Sequence, residues 1–179
     1  MITVISGTNR PDSNTVILAK YCFDYLQLNY MNGVNFINLQ TLNGIQLNEN
    51  MYESGGQDRL ISNLQDQYIV PSSKWLIISP EYNGSFPGIL KLFIDALSAR
   101  RYKETFAGKK AALIGVASGR AGNLRGMEHL TGLLNYLKVV IMPDKLPVSS
   151  VETVVGKDGN IKEETRKTIN LFLDEFMVF

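Results

Sequence analysis

The chain has 179 residues, 45% apolar and 20% charged, the composition of a globular domain rather than of a disordered or fibrous chain. Its 18 basic and 17 acidic side chains leave a net charge of +1, which excludes a dedicated nucleic-acid binder with its strong basic excess. One cysteine and one histidine exclude an internal disulfide and a metal cluster built from those two types.

The opening MITVISG is too short to be a signal peptide, and no run of 18 apolar residues is present to span a membrane. A cytoplasmic protein folding as a single domain over residues 1–179 is expected. Cys22, inside an apolar run, reads as a buried and inert thiol.

In chain order, Ile2 to Ser6 is a short β-branched run that predicts a buried strand, punctuated by Gly7. A helix follows from about Thr15 to Asn29, with Leu18, Cys22, Tyr25 and Leu26 as its apolar stripe. Val34 to Leu39 predicts a second strand. A polar stretch rich in Asn and Gly, Thr41 to Gly56, leads to a weakly amphipathic helix around Leu60 to Tyr68. The segment Trp75 to Ser79 is a continuous apolar strand stopped by Pro80. The clearest helix then starts at Ser85. Phe86, Ile89, Leu90, Phe93, Ile94 and Leu97 fall at spacings of 3, 1, 3, 1 and 3, with Ser85 as the expected cap and Pro87 in the first turn. Ala111 to Ala117 predicts a fourth strand, Met127 to Tyr136 a helix, Val139 to Met142 a fifth strand, and about Lys162 to Met177 a last helix.

Continuously apolar strands alternating with helices imply a parallel sheet buried on both faces, hence a doubly wound, five-stranded, three-layer α/β/α fold. Such sheets bind ligands at the carboxyl ends of their strands. Three loops leave those ends. Gly7 to Thr15 joins a strand to a helix N-terminus, where free N–H groups favour an anion; Thr8, Ser13 and Thr15 add hydroxyls and Arg10 a charged fork. Its ordinary reading is a solvated turn capped by Ser13 or Asn14. Pro80 to Gly88 is polar and carries Tyr82, against which a flat ligand can stack, with backbone donors at Asn83 and Gly84; its ordinary reading is a β-turn at Asn83–Gly84. Gly115 to Asn123 is rich in glycine and brings amides and Arg120; its ordinary reading is a flexible connection.

No two glycines are spaced as G-x-G and no G-K-[ST] occurs, so neither the dinucleotide fingerprint nor a P-loop is present. A hydroxyl-rich loop with few glycines suits the phosphomonoester of a mononucleotide. Ser118 sits in no nucleophile elbow, and the lone His129 argues against a Ser-His-Asp hydrolase. Side-chain acid/base pairs are missing from these loops, so a reaction carried by a bound cofactor fits, with no catalytic side chain assigned.

The stretches G-T-N-R-P-D-S-N-T and P-E-Y-N-G-S-F-P-G-I-L-K-L-F-I-D-A-L, with the order of elements over essentially the whole chain, resemble the NADPH-dependent FMN reductase family. The resemblance implies a flavodoxin-like fold in which Thr8, Arg10, Ser13, Asn14 and Thr15 hold the FMN phosphate. It implies that Pro80, Glu81, Tyr82, Asn83 and Gly84 border the isoalloxazine, and that Ser118, Gly119 and Arg120 lie near its pyrimidine side. It further implies a homodimer or homotetramer that passes two electrons from NADPH or NADH through FMN to a small-molecule acceptor such as a quinone, flavin or azo compound. Leu92, Phe93 and Ala96 stand where many members carry Asn, Ala and Trp, and Gly122–Asn123 replaces a common glycine pair.

Two other classes fit the same fold: a flavodoxin-type electron carrier without nicotinamide turnover, against which the +1 charge argues, and a flavin-free binding module. The segment 43–56 is a candidate lid over the flavin through Leu47, Met51 and Tyr52. Residues 100–129 hold seven basic and two acidic groups, and Arg100, Arg101, Lys109, Arg120 and Arg125 are candidates for the 2′-phosphate of NADPH.

Overall fold

The computed structural model describes residues 1–30, 33–42 and 49–179. Its centre is a six-stranded parallel sheet in the order β2-β1-β3-β4-β5, with β6 also paired to β4. The strands are β1 (Ile2–Ser6), β2 (Val34–Asn38), β3 (Lys74–Pro80), β4 (Lys110–Val116), β5 (Val140–Ile141) and β6 (Leu146–Val148). This is the flavodoxin-like winding, whose switch point lies between β1 and β3. The two strands run in register from Ile2 opposite Lys74 to Ser6 opposite Ile78.

Side chains alternate across each strand and fill two cores. Ile2, Val4, Leu76, Ile78, Ala112 and Ile114 face one side, where they meet α1 (Asn14–Asn29) and α7 (Glu163–Val178). Ile5, Trp75, Ile77, Ala111 and Leu113 face the other, covered by α2 (Arg59–Leu64), α3 (Gly88–Ser98), α4 (Tyr102–Phe106) and α5 (Leu124–Tyr136). Both faces are therefore dry, which is why the strands carry so few polar residues. On α3, Leu90, Phe93, Ile94 and Leu97 are buried as their spacing predicts, and Phe93 alone is 1% exposed.

Three differences from the sequence reading have physical causes. Helix α3 starts at Gly88 with Pro87 as its cap residue and no side-chain cap bond. Ser85 does not cap it, because its backbone is bridged to Tyr82 by a reciprocal pair of hydrogen bonds. The fifth strand is broken: β5 pairs with the start of β4 and β6 with its end. Pro143, which has no N–H to give, lies in the break. The short helices α4 and α6 (Val151–Val154) lie in segments that had read as connections.

Candidate functional site

A crevice of about 190 Å³ opens at the carboxyl ends of β1, β3 and β4. Arg10, Ser13, Asn14 and Thr15 line one wall, Pro80, Glu81 and Tyr82 another, and Ser118 a third.

The first wall is the N-terminus of α1. Ser13 adopts extended backbone and its Oγ accepts the Thr15 N–H at 3.2 Å. Among the described residues, the N–H groups of Asp12, Ser13 and Asn14 donate to no protein acceptor. The Asn14 N–H is the free donor of α1's first turn, and those of Asp12 and Ser13 belong to the loop that leads into it. Thr8 does not line the crevice. It is fully buried behind it, where its Oγ1 accepts the Arg10 N–H at 3.1 Å and lies 2.9 Å from the Tyr82 hydroxyl. One hydroxyl thus ties the phosphate-type loop to the aromatic of the next loop.

In the second wall, the chain leaves β3 along β4, with the Glu81 N–H donated to the Val116 carbonyl. It then turns sharply between Tyr82 and Ser85. Asn83 and Gly84 both take positive φ, 52° and 75°. An Asn-Gly pair with two left-handed residues is the sequence that such a tight reversal requires. The N–H groups of Asn83 and Gly84 meet no acceptor among the described residues, and neither residue lines the crevice itself.

The third wall is held from behind. Ala117 and Gly119 accept backbone bonds from Val151 and Ser150, and the Arg120 carbonyl accepts the Ser149 hydroxyl at 2.6 Å. With their carbonyls occupied, the N–H groups of Ser118, Gly119 and Arg120 remain without protein acceptors among the described residues. Gly119 and Arg120 belong to this loop but not to the crevice lining.

Some contributors were invisible in the sequence. Val151 and Glu152 of α6 close the crevice, together with Val116 and Ala117. Asn123 is fully buried, at φ 62°, and its Nδ2 donates to the carbonyls of Ser79 at 2.9 Å and Pro80 at 3.0 Å. It pins the end of β3 to the start of α5. An asparagine beside a glycine was the available signal, because that pair favours left-handed backbone.

Leu47 lies outside the described residues. Met51 and Tyr52 line a separate cleft with Gln57, Asp66 and Arg100, which shares no residue with the crevice. Among the candidate cations, Arg100 and Arg101 contact Asp66 at 2.7 and 2.9 Å and hold its carboxyl below the usual range. The ammonium of Lys109 is bound by the carbonyls of Val70 and Ser72, and burial lowers its pKa. Arg120 and Arg125 have no ion pair among the described residues. No cluster of three metal-ligating side chains occurs among the described residues, nor any helix long and apolar enough to cross a membrane.

Free amides at a helix N-terminus, an anchored tyrosine and a donor-bearing turn at the switch point suit a flat mononucleotide whose phosphate end is anionic. The fold and site together define a flavodoxin-like protein. Within that class, residues 1–153 match the model of the NADPH-dependent FMN reductase family, and the chain belongs to that family. It is 29% identical over 177 residues to a 2-hydroxy-1,4-benzoquinone reductase of Burkholderia sp, covering 98% of this chain and 93% of the relative. An NAD(P)H-dependent FMN reductase of Pseudomonas aeruginosa is 31% identical over 135 residues, 74% of this chain and 71% of that one. Among solved structures, FerB from Paracoccus denitrificans, a flavoenzyme NAD(P)H:(acceptor) oxidoreductase, superimposes with a TM-score of 0.80 at 26% identity, over 98% of this chain and 94% of its own. The chain is an FMN-dependent oxidoreductase that draws electrons from NAD(P)H.

Proposed function

We propose that residues 1–179 act as one FMN-binding domain that reduces a quinone at the crevice above β1 and β3, with Arg10, Ser13, Asn14 and Thr15 as the phosphate ligands and Thr8 as their brace. The observation that carries this reading is the Thr8–Tyr82 contact of 2.9 Å, which joins an anion-ready helix N-terminus to the aromatic turn within one crevice. When bound, FMN would supply the redox chemistry of hydride transfer between nicotinamide and acceptor.

The protein's own contribution is orientation and charge. Arg10 adds a fork for phosphate oxygens beside the free amides of Asp12 to Asn14. Pro80, Glu81 and Tyr82 form the shelf on which a ring lies, and Asn83 and Gly84 offer it backbone donors. Ser118, Gly119 and Arg120 present amides to the pyrimidine edge, where preorganised donors stabilise added negative charge.

The family relationship and the quinone reductase among the relatives support a quinone as acceptor. A homodimer or homotetramer is supported by the groove between α3 and α5, lined by Ile94, Tyr102, Leu133 and Tyr136, with Tyr136 79% exposed. A single buried thiol and reliance on a reduced nicotinamide suit the reducing cytoplasm.

The test is the visible spectrum of purified protein mixed with FMN and then, anaerobically, with NADPH. A bound-flavin spectrum that bleaches, followed by reoxidation with a quinone, is expected. Bound flavin that stays oxidised identifies an electron carrier instead, and failure to take up FMN overturns the site.

A further inference from the structure

A second cleft, of about 500 Å³, opens against the same end of α1 as the crevice. Asp12, Ser13 and Asn14 line both, whereas Arg10 belongs to the crevice alone and Lys157 to the cleft alone. The three residues whose N–H groups are free thus stand between two hollows, each with its own cation. Thr15, 2% exposed, lines the crevice, and its hydroxyl has no partner among the described residues. A buried residue with an idle hydroxyl marks this end of α1 as built for a ligand.

The far wall of the cleft is the turn between α6 and α7. There the Gly156 N–H donates to the Asn160 carbonyl at 2.8 Å. Gly159, at φ 79°, brings the turn over α1, and a Cβ on it would stand 4.0 Å from Ile17 Cδ1. Asp158 is consumed inside the turn, where its carboxylate accepts the Asn160 N–H at 3.1 Å and Nδ2 at 2.6 Å. Lys157 meets neither a carboxylate nor a carbonyl among the described residues. Half-buried Val16 and Ile17 give the cleft an apolar floor, and the Gln40 carboxamide keeps its Nε2 without an acceptor among the described residues.

We propose that this cleft is the adenylate half of a flavin dinucleotide site, so that the protein takes FAD as well as FMN. This rests on the reading above, in which the α1 N-terminus holds the flavin phosphate. A phosphomonoester needs one cation and fills one hollow. A pyrophosphate, passing over the shared amides of Asp12 to Asn14, sets one phosphate by Arg10 and the next by Lys157. The adenosine then enters the cleft. Its base lies on Val16 and Ile17 with Gln40 at its polar edge, and Asp12 at the rim accepts from the ribose hydroxyls. The volume of the cleft lies within the range of about 300–1,000 Å³ usual for small-molecule sites. NADPH also ends in an adenylate. Its nicotinamide must reach the flavin ring on the Tyr82 shelf, however, whereas the cleft adjoins the phosphate end of the bound flavin.

The test is calorimetry of the full chain, freed of flavin, with FMN and with FAD. FAD should bind at least as tightly as FMN. Lys157→Glu should weaken FAD about tenfold and leave FMN unchanged, and Lys157→Arg should keep the wild-type ratio. In the phosphorus NMR spectrum of bound FAD, Lys157→Glu should shift the adenylate-side resonance and Arg10→Ala the flavin-side one. FAD that binds markedly more weakly than FMN overturns the proposal. So does a Lys157→Glu variant that loses nothing, or loses equally for both flavins, since the ammonium then has no bond of its own to the adenylate side. A raised KM for NADPH in FMN-loaded Lys157→Glu, with the ratio of FAD to FMN affinity intact, assigns the cleft to the nicotinamide dinucleotide and overturns it too. If FMN binds and FAD does not, this inference alone fails. If neither binds, the flavin reading fails with it.

Discussion

The two ends of the sheet are built on opposite principles. At the amino end of the central strands, Lys74 and Lys110 stand opposite each other across β3 and β4. Their ammonium groups donate to the carbonyls of Phe176 and Met177, and of Phe179, at the end of α7. Burial, and the neighbouring charge of Lys110, lower the pKa of Lys74, but both ammonium groups meet the negative end of α7. At the carboxyl end, donors are left uncommitted and the backbone is strained. Of the six non-glycine residues with positive φ among the described residues, Asp12, Asn83, Asn123 and Ser150 lie in the loops around the crevice. One end closes its hydrogen bonds to hold the chain together. The other holds them open for a ligand, and rigid support from behind makes that possible.

The largest effect that would break this contrast is at Asn123. Asn123→Ala removes the bonds to the Ser79 and Pro80 carbonyls and places a poorly suited residue at positive φ, so unfolding in urea should show a loss of about 2–4 kcal/mol. A change under 1 kcal/mol would mean that β3 is not held in this way. Next is Arg10→Ala, expected to weaken FMN binding by about 2 kcal/mol, or some thirtyfold, in a flavin fluorescence titration. The urea midpoint of the apoprotein should stay where it was, since the Arg10 side chain has no hydrogen bond or ion pair among the described residues. At the opposite end, Lys74→Met should show the reverse pattern. Unfolding should cost about 1 kcal/mol less, while FMN affinity is unaltered.

The smallest effect is acid sensitivity at Asp66, whose pKa is lowered chiefly by its bond to Arg100 and also by Arg101. A carboxyl with a folded pKa below its unfolded value stabilises the fold above about pH 4 and loses that contribution as pH falls through the folded pKa. The pair is largely exposed, so the contribution is about 0.5 kcal/mol and shrinks with salt. Comparing Asp66→Asn with the parent between pH 5 and 2 checks it. The two stability curves should converge towards the acid end.

The contrast between the ends also explains what the sequence made legible. Strands β1, β3 and β4 declare themselves as continuous apolar runs, α1, α3 and α7 because their burial follows a period, and the phosphate-type loop and the Asn83–Gly84 turn because their chemistry is local. Ser85 was misread as a cap because the same residues also satisfy the turn, and the reciprocal bond to Tyr82 decides the matter. Asn123 and Glu152 stayed hidden for a different reason. Asn123 bonds segments 43 and 44 residues away, and Glu152 reaches the crevice only once the chain has folded. No local pattern records such a meeting.

The broken fifth strand has a consequence of another kind. A sheet edge with a continuous row of free amides and carbonyls is a template on which a second chain can extend the sheet. Here β5 follows β4 for two residues and β6 for three, with Pro143 in the interval. An incoming strand finds no uninterrupted ladder to copy along that side. The interruption that spoils the regularity of the fold thereby leaves β2 as the edge with an unbroken run of backbone.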